Sequence, residues 1–151
     1  LGSKTLTNIK VKSICIFEND NKILVSKSFD SVQKDYYYRP IGGTTEFGEY
    51  TKETLVREIQ EELNAQIKNI TLEQVIENIF TCDGLKGHEI VFLYKADFID
   101  KFFYELKEYE IIEGEEIIKA YWININDFVN KEYRLVPHML IEYYSKKLQN
   151  S

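Results

Sequence analysis

Four charged residues in one short stretch, Arg57, Glu58, Glu61 and Glu62, have the types and spacing to do phosphate chemistry. On a helix, at 100° per residue, the three glutamates fall within an arc of about 100°. Leu55, Val56, Ile59 and Leu63 fall in an adjoining arc and form the expected buried stripe. Glu62 stands nearest that stripe. Like charges at i,i+4 destabilise a helix by roughly a few tenths of a kcal/mol, and by more when desolvated. A divalent cation reverses that sign, because Mg²⁺ takes oxygen ligands, keeps waters and bridges carboxylates to substrate phosphates. The competing reading is a solvated acidic helix face, which is common. The upstream glycines weigh against it. Gly42, Gly43 and Gly48 precede the helix, and glycine allows backbone conformations and a close approach to phosphate that other residues bar.

Several elements must position these groups. Residues 10–17 form an apolar, β-branched run that reads as a strand, with a turn at Asn19-Asp20-Asn21 and a returning strand over 22–28. Residues 29–34 read as a loop. Residues 36–39 are a short aromatic segment leading into Pro40-Ile41-Gly42-Gly43. Thr51 is the expected N-cap, with Glu53 in the first turn. The helix runs to about Leu63, and Asn64 takes the left-handed position after it. Residues 66–81 read as a strand bent near Asn69. Asp83-Gly84 and Lys86-Gly87 bracket a tight connection into a strand over 89–97. Residues 102–112 fit neither period. Residues 117–124 read as a strand, Asp127 opens a helical turn, and residues 137–148 form a C-terminal helix with Pro137 near its first turn. Strands around one central helix, with a second helix at the end, predict an α/β (α+β) fold, a mixed central sheet sandwiched between helices.

The 151 residues predict one domain, 1–151, with Leu1-Gly2-Ser3 read as a cloning remnant. The net charge of −6 repels a nucleic-acid backbone, so long RNA or DNA is not expected as partner. The expected partner is a small anionic molecule whose charge a metal offsets. Cys15 and Cys82 sit in apolar runs without metal-ligand spacing and read as two buried, reduced thiols, which suits a cytoplasm. No run is apolar enough to span a membrane.

Residues 43–65 resemble the Nudix box: Gly, five residues, Glu, seven residues, then Arg-Glu-apolar-any-Glu-Glu-any-Gly-apolar. Gly43, Glu49, Arg57, Glu58, Ile59, Glu61, Glu62 and Ala65 meet the pattern in register, and Asn64 stands where the family has Gly. With roughly 5–7% background per residue type, the six fixed Gly, Glu and Arg positions match by chance on the order of one time in ten million per start.

The resemblance implies a sheet between helices and hydrolysis of a pyrophosphate linkage in a nucleoside diphosphate derivative or nucleoside triphosphate. Glu58, Glu61 and Glu62 would then be the catalytic set. Gly43 with the same three glutamates would hold Mg²⁺, with Mn²⁺ as a substitute. Arg57 would pair with Glu49 and fix the loop, a structural role. Relatives add a carboxylate before a Trp on a late strand. Glu113, Glu115 and Glu116 precede Trp122, and Glu116 is the choice by spacing, with Glu115 behind it. Arg39, Tyr38, Phe47, Phe80 and His88 flank the expected site as substrate-binding candidates, and Tyr36 and Tyr37 are further rings that could stack. For each, sheet core or bare surface is the plainer reading. Phe80 stands where ADP-ribose hydrolases tend to carry Pro, and Cys82 and Asp83 where dinucleoside polyphosphate hydrolases tend to carry Tyr. No coenzyme A signature is seen. A homodimer is compatible with the sequence. The rival reading is a catalytically weak module of the same fold that binds and senses a nucleotide metabolite. Such a module would be expected to lose box carboxylates, and none is lost here. A third reading is an interaction domain with a chance acidic face.

Overall fold

The computed structural model of the chain describes residues 8–150, so Leu1-Gly2-Ser3 lie outside the described residues. The strands are β1 (Lys10–Ile16), β2 (Glu18–Asn19), β3 (Lys22–Asp30), β4 (Asp35–Thr44), β5 (Ile67–Cys82), β6 (Leu85–Phe98), β7 (Glu108–Glu113) and β8 (Glu116–Asn124). The helices are α1 (Thr51–Leu63), α2 (Ile125–Val129) and α3 (Met139–Gln149), with a 3₁₀ turn at Lys101–Tyr104. The strands form an eight-stranded sheet in the order β5-β6-β1-β4-β3-β8-β7, with β2 against β3. The β1–β6 pair is parallel and the others are antiparallel, so the sheet is mixed as expected.

Both faces of the sheet are covered, which explains the apolar run Ile14-Cys15-Ile16 that ends β1. Ile14 and Ile16 join the core under α2 and α3, with Tyr38, Phe128, Leu140 and Tyr144. Cys15 and Phe17 join the core under α1, with Leu55, Ile59, Ile41 and Tyr109. Turn chemistry follows the sequence. Asp20 and Asn21 have φ of 51° and 61°, and Asp83 and Gly84 have φ of 53° and 78°, the left-handed values a two-residue hairpin turn demands. Asn69 has φ of 56° where β5 shifts register against β6, at the expected bend. Among the described residues no helix is long and apolar enough to cross a membrane.

Several expectations are corrected. The loop expected from Phe29 begins later, because β3 continues to Asp30. The Asp30 Oδ1 accepts the N–H groups of Val32, Gln33 and Asp83 at 3.0, 3.1 and 3.3 Å, tying that turn to the β5–β6 hairpin. Lys86-Gly87 belongs to β6. Residues 102–112, unassigned by period, divide between the 3₁₀ turn and β7. Tyr50, not Thr51, caps α1, and its N–H donates to Glu53 Oε1 at 2.8 Å. Cys15 is buried, but Cys82 is only half-buried, and both are free thiols. Val56 is exposed, and Thr54, Leu55, Ile59 and Glu62 are the buried residues of α1. The buried arc is therefore rotated toward the carboxylates.

Gly42 and Gly43 are not in a turn; they lie in β4 and pair with Ile14 and Ser13 of β1. They are glycines for want of space. A Cβ on Gly42 would strike the Ser13 carbonyl, and one on Gly43 would strike the Glu58 carboxyl. Gly48 is the one of the three that uses glycine's conformational freedom, with φ of 85°. Gly42→Ala is expected to lower stability by about 1–3 kcal/mol, the usual cost of forcing atoms into filled space. Urea denaturation measures this, and an unchanged midpoint would contradict it.

Candidate active site

Helix α1 is fixed at both ends. Asn64 closes it in the left-handed conformation, φ 52° and ψ 43°, with its N–H on the Gln60 carbonyl. Leu55 and Ile59 are fully buried and anchor it on the sheet. Glu62, one turn beyond Ile59, is carried into the same buried arc and is only 7% exposed. Its Oε1 has no hydrogen-bond partner among the described residues. Its carboxyl is pushed up to about 8, first by burial, then by the charges of Glu58 and Glu113, with Arg39 opposing. The charge of Glu58 acts on it, and Glu58 lies over Gly43, in the space the missing Cβ leaves. Glu61 is more than half exposed and 3.4 Å from Arg57 Nη1.

Arg57 does not neutralise Glu62. Its Nε and Nη2 donate to the two oxygens of Glu49 at 2.7 and 2.9 Å, a bidentate pair. Nη2 also donates to the Thr44 carbonyl at 3.3 Å, and Nη1 to Glu58 at 2.9 Å. Glu49 further accepts from Thr54 Oγ1 at 2.7 Å and from the Glu46 N–H at 3.1 Å. This network ties the loop after β4 to the helix. It holds the Glu49 carboxyl down to about 2, through Arg57 first and then Thr54 and the Glu46 N–H.

A hard divalent cation fits the donors present. Glu58, Glu61 and Glu62 and the Gly43 carbonyl are all oxygen donors, and a buried carboxylate oxygen without a partner is costly until a cation or proton meets it. Among the described residues the one tight group of three potential ligands lies elsewhere, at Asp30, Cys82 and Asp83. There Asp30 Oδ1 is taken by backbone N–H groups, and Arg134 Nη1 stands 4.0 Å from Oδ2.

A cleft of ≈ 280 Å³ opens beside the box, and Gly43 and Arg39 line it. Arg39 Nη2 reaches Glu113 Oε1 at 3.3 Å. The register of the β7–β8 hairpin pairs Glu113 with Glu116, on the face that holds Tyr109 and Ile111. Of the late carboxylates, Glu113 is the one whose charge reaches Glu62. Glu116 and Glu115 are exposed at the hairpin end.

The substrate-binding candidates divide. Arg39 and Phe80 line the cleft. Tyr38 does not. It is buried in the core, edge-on to Phe128 and Tyr133, while its neighbour Tyr37 faces the cleft by strand alternation. Phe47 stands fully exposed in the loop before α1. His88 lies on the face of β6 opposite Gly87 and Glu89, outside the cleft lining. Sequence reading passed over Lys12, Asn78, Glu89 and His138, which line the cleft. Asn78 and Glu89 are cross-strand partners, so a β5–β6 register would have found them together.

A carboxylate-rich helix beside a cleft with basic side chains is the donor set that divalent-metal chemistry on phosphates calls for. The model of the NUDIX domain matches residues 8–142. No curated protein matches the chain. Solved structures do match. A NUDIX hydrolase from Nitrosomonas europaea has a TM-score of 0.62 at 17% identity, over 93% of this chain and 90% of that one. A MutT protein from Bacillus halodurans has a TM-score of 0.61 at 17% identity, over 89% and 80%. A MutT NUDIX hydrolase from Burkholderia pseudomallei has a TM-score of 0.60 at 20% identity, over 79% and 85%. The chain belongs to the NUDIX family and is a hydrolase of phosphoanhydrides.

The Glu49–Arg57 clasp makes a pH prediction. The folded Glu49 carboxyl lies below its ordinary value near 4.5. The stability it contributes is therefore full above about pH 4.5 and is lost as pH falls through about 2. The stability difference between wild type and Glu49→Gln, from urea melts between pH 6 and pH 2, should shrink toward the acid end. A difference independent of pH would contradict the assignment.

Proposed function

We propose that the protein is a Mg²⁺-dependent pyrophosphohydrolase that cleaves the phosphoanhydride linkage of a nucleoside diphosphate derivative or a nucleoside triphosphate. The observation that carries this reading is the Glu58–Glu62 pair against Gly43, with Glu62 buried and its Oε1 unpartnered among the described residues. Glu58, Glu61, Glu62 and the Gly43 carbonyl would hold the ion, with Mn²⁺ as a substitute. When bound, it supplies Lewis-acid polarisation of phosphoryl oxygens and a lowered pKa for water. Glu113 would take the place given to Glu116 as the carboxylate outside the box, since it pairs with Arg39 and its charge bears on Glu62.

In the reaction an oxygen of water bonds to one phosphorus, the bridging P–O bond breaks, and the leaving phosphate departs with the bridging oxygen. Positioning and charge neutralisation do most of the work. Arg39 and Lys12 bring positive charge to the cleft for the phosphates. A box glutamate accepts the proton of the attacking water. Glu49 and Arg57 hold the loop and helix in register and do not touch the reacting atoms. This domain would act on small molecules, in the cytoplasm.

A phosphate-release assay over nucleoside triphosphates, dinucleotides and nucleotide sugars tests the reading. Turnover is expected with Mg²⁺ and not with EDTA. Glu62→Gln should lower kcat by about 100-fold or more. No turnover on any substrate, or full activity in Glu62→Gln, would overturn it. Tight nucleotide binding without product would favour the sensing module instead.

A further inference from the structure

Asn78 is 5% exposed and lines the cleft, yet its Oδ1 has no hydrogen-bond partner among the described residues. Its orientation is fixed by chemistry. Asn78 Nδ2 donates to Glu89 Oε1 at 3.4 Å. A carboxylate only accepts, so a flipped amide would set two acceptors against each other. The amide must keep its N–H₂ on Glu89, which leaves the carbonyl oxygen as an unanswered acceptor in a buried place. Buried acceptors of that kind are costly and are normally answered by a donor.

Two neighbours say what kind of molecule brings the donor. Phe80, two residues along β5 on the same face, also lines the cleft, and the tip of its ring fills the space that a side chain on Gly87 would need. An aromatic ring beside a buried acceptor suits a flat heteroaromatic ligand. From Asn78 a line of charged groups then leads to the box. Glu89 Oε2 is 4.0 Å from Lys12 Nζ, and Arg39 lies further along at 3.3 Å from Glu113. Bases at one end and phosphates at the other would match this order.

We infer, on the reading of this cleft as a nucleotide site, that it selects an amino-bearing nucleobase, with Asn78 Oδ1 accepting a hydrogen bond from the exocyclic amine and Phe80 supplying the stacking surface. A base that carries a carbonyl at that position sets its lone pairs against Oδ1 and is rejected. The discrimination therefore falls between adenine and hypoxanthine, and between cytosine and uracil.

Nucleoside monophosphates test this without hydrolysis, since they hold no anhydride. Calorimetric titration should show AMP bound more tightly than IMP, and CMP more tightly than UMP, by about tenfold or more, because a site built to pair a donor rejects the analogue that lacks it. Asn78→Leu should bring each ratio within about threefold. Phe80→Leu should weaken all four together and leave the ratios standing. Equal affinities within each pair in the wild type overturn the inference whatever the variants do. So does no binding of any of the four, ratios that survive Asn78→Leu, or ratios that vanish in Phe80→Leu. Anhydride hydrolysis with no base preference sinks this inference alone. Base preference in a protein that hydrolyses no anhydride sinks the proposed function alone.

Discussion

The site depends on two carboxylates, Glu58 and Glu62, held side by side where water reaches neither freely. Nothing in helix propensity asks for this. It follows from packing: Leu55 and Ile59 pin α1 to the sheet, and the same rotation carries Glu62 inward. Gly43 opposite has no side chain, so Glu58 has a place to lie. A nearby arginine would ordinarily quench such a pair. Arg57 is adjacent, but its bidentate pair goes to Glu49, and its reach toward the box ends at Glu58 and Glu61. The network that fixes the loop thus also leaves Glu62 without an ion-pair partner among the described residues.

The sheet makes room for the rest. β4 changes partners in its middle: its register with β3 ends at Pro40, and its register with β1 begins at Ile41. Arg39 stands beside that fork and lines the cleft that opens there. On one side it meets Glu113 of the β7–β8 hairpin. On the other lie Lys12 of β1 and the β5–β6 hairpin, whose strands carry Asn78 and Glu89. The cleft draws its residues from β1, β4, β5 and β6 and from the segment leading into α3, so the order of strands in the sheet decides the composition of the site.

That dependence explains what could be read from the sequence and what could not. Local signals were legible. The box helix, Asn64 as its left-handed end, the Asp20-Asn21 and Asp83-Gly84 turns and the bend at Asn69 all follow from residue type at fixed offsets. The Glu49–Arg57 pairing came with the resemblance, and the structure places those two side chains together. Signals set by register were not legible. Tyr37 and Tyr38 are neighbours with opposite fates, and only the β3–β4 pairing says which of them enters the core. Glu113 and Glu116 face each other across a hairpin, so spacing from Trp122 could not rank them. Gly42 and Gly43 suggested special backbone conformations because conformational freedom is glycine's commoner use, whereas here it is the missing Cβ that matters. Asn78 gave no signal, because its meaning lies in the opposing Glu89 and in a cleft formed by distant strands.

The central claim is that the Glu58–Glu62 pair exists to meet a divalent cation. Crystals grown without metal and then soaked in Mn²⁺ test it most directly, through an anomalous difference map. The account predicts a peak bounded by Glu58, Glu62 and the Gly43 carbonyl, and none there in Glu62→Gln crystals soaked alike. No peak at the box in the wild type, or a sole peak at the Asp30, Cys82 and Asp83 group, would contradict it.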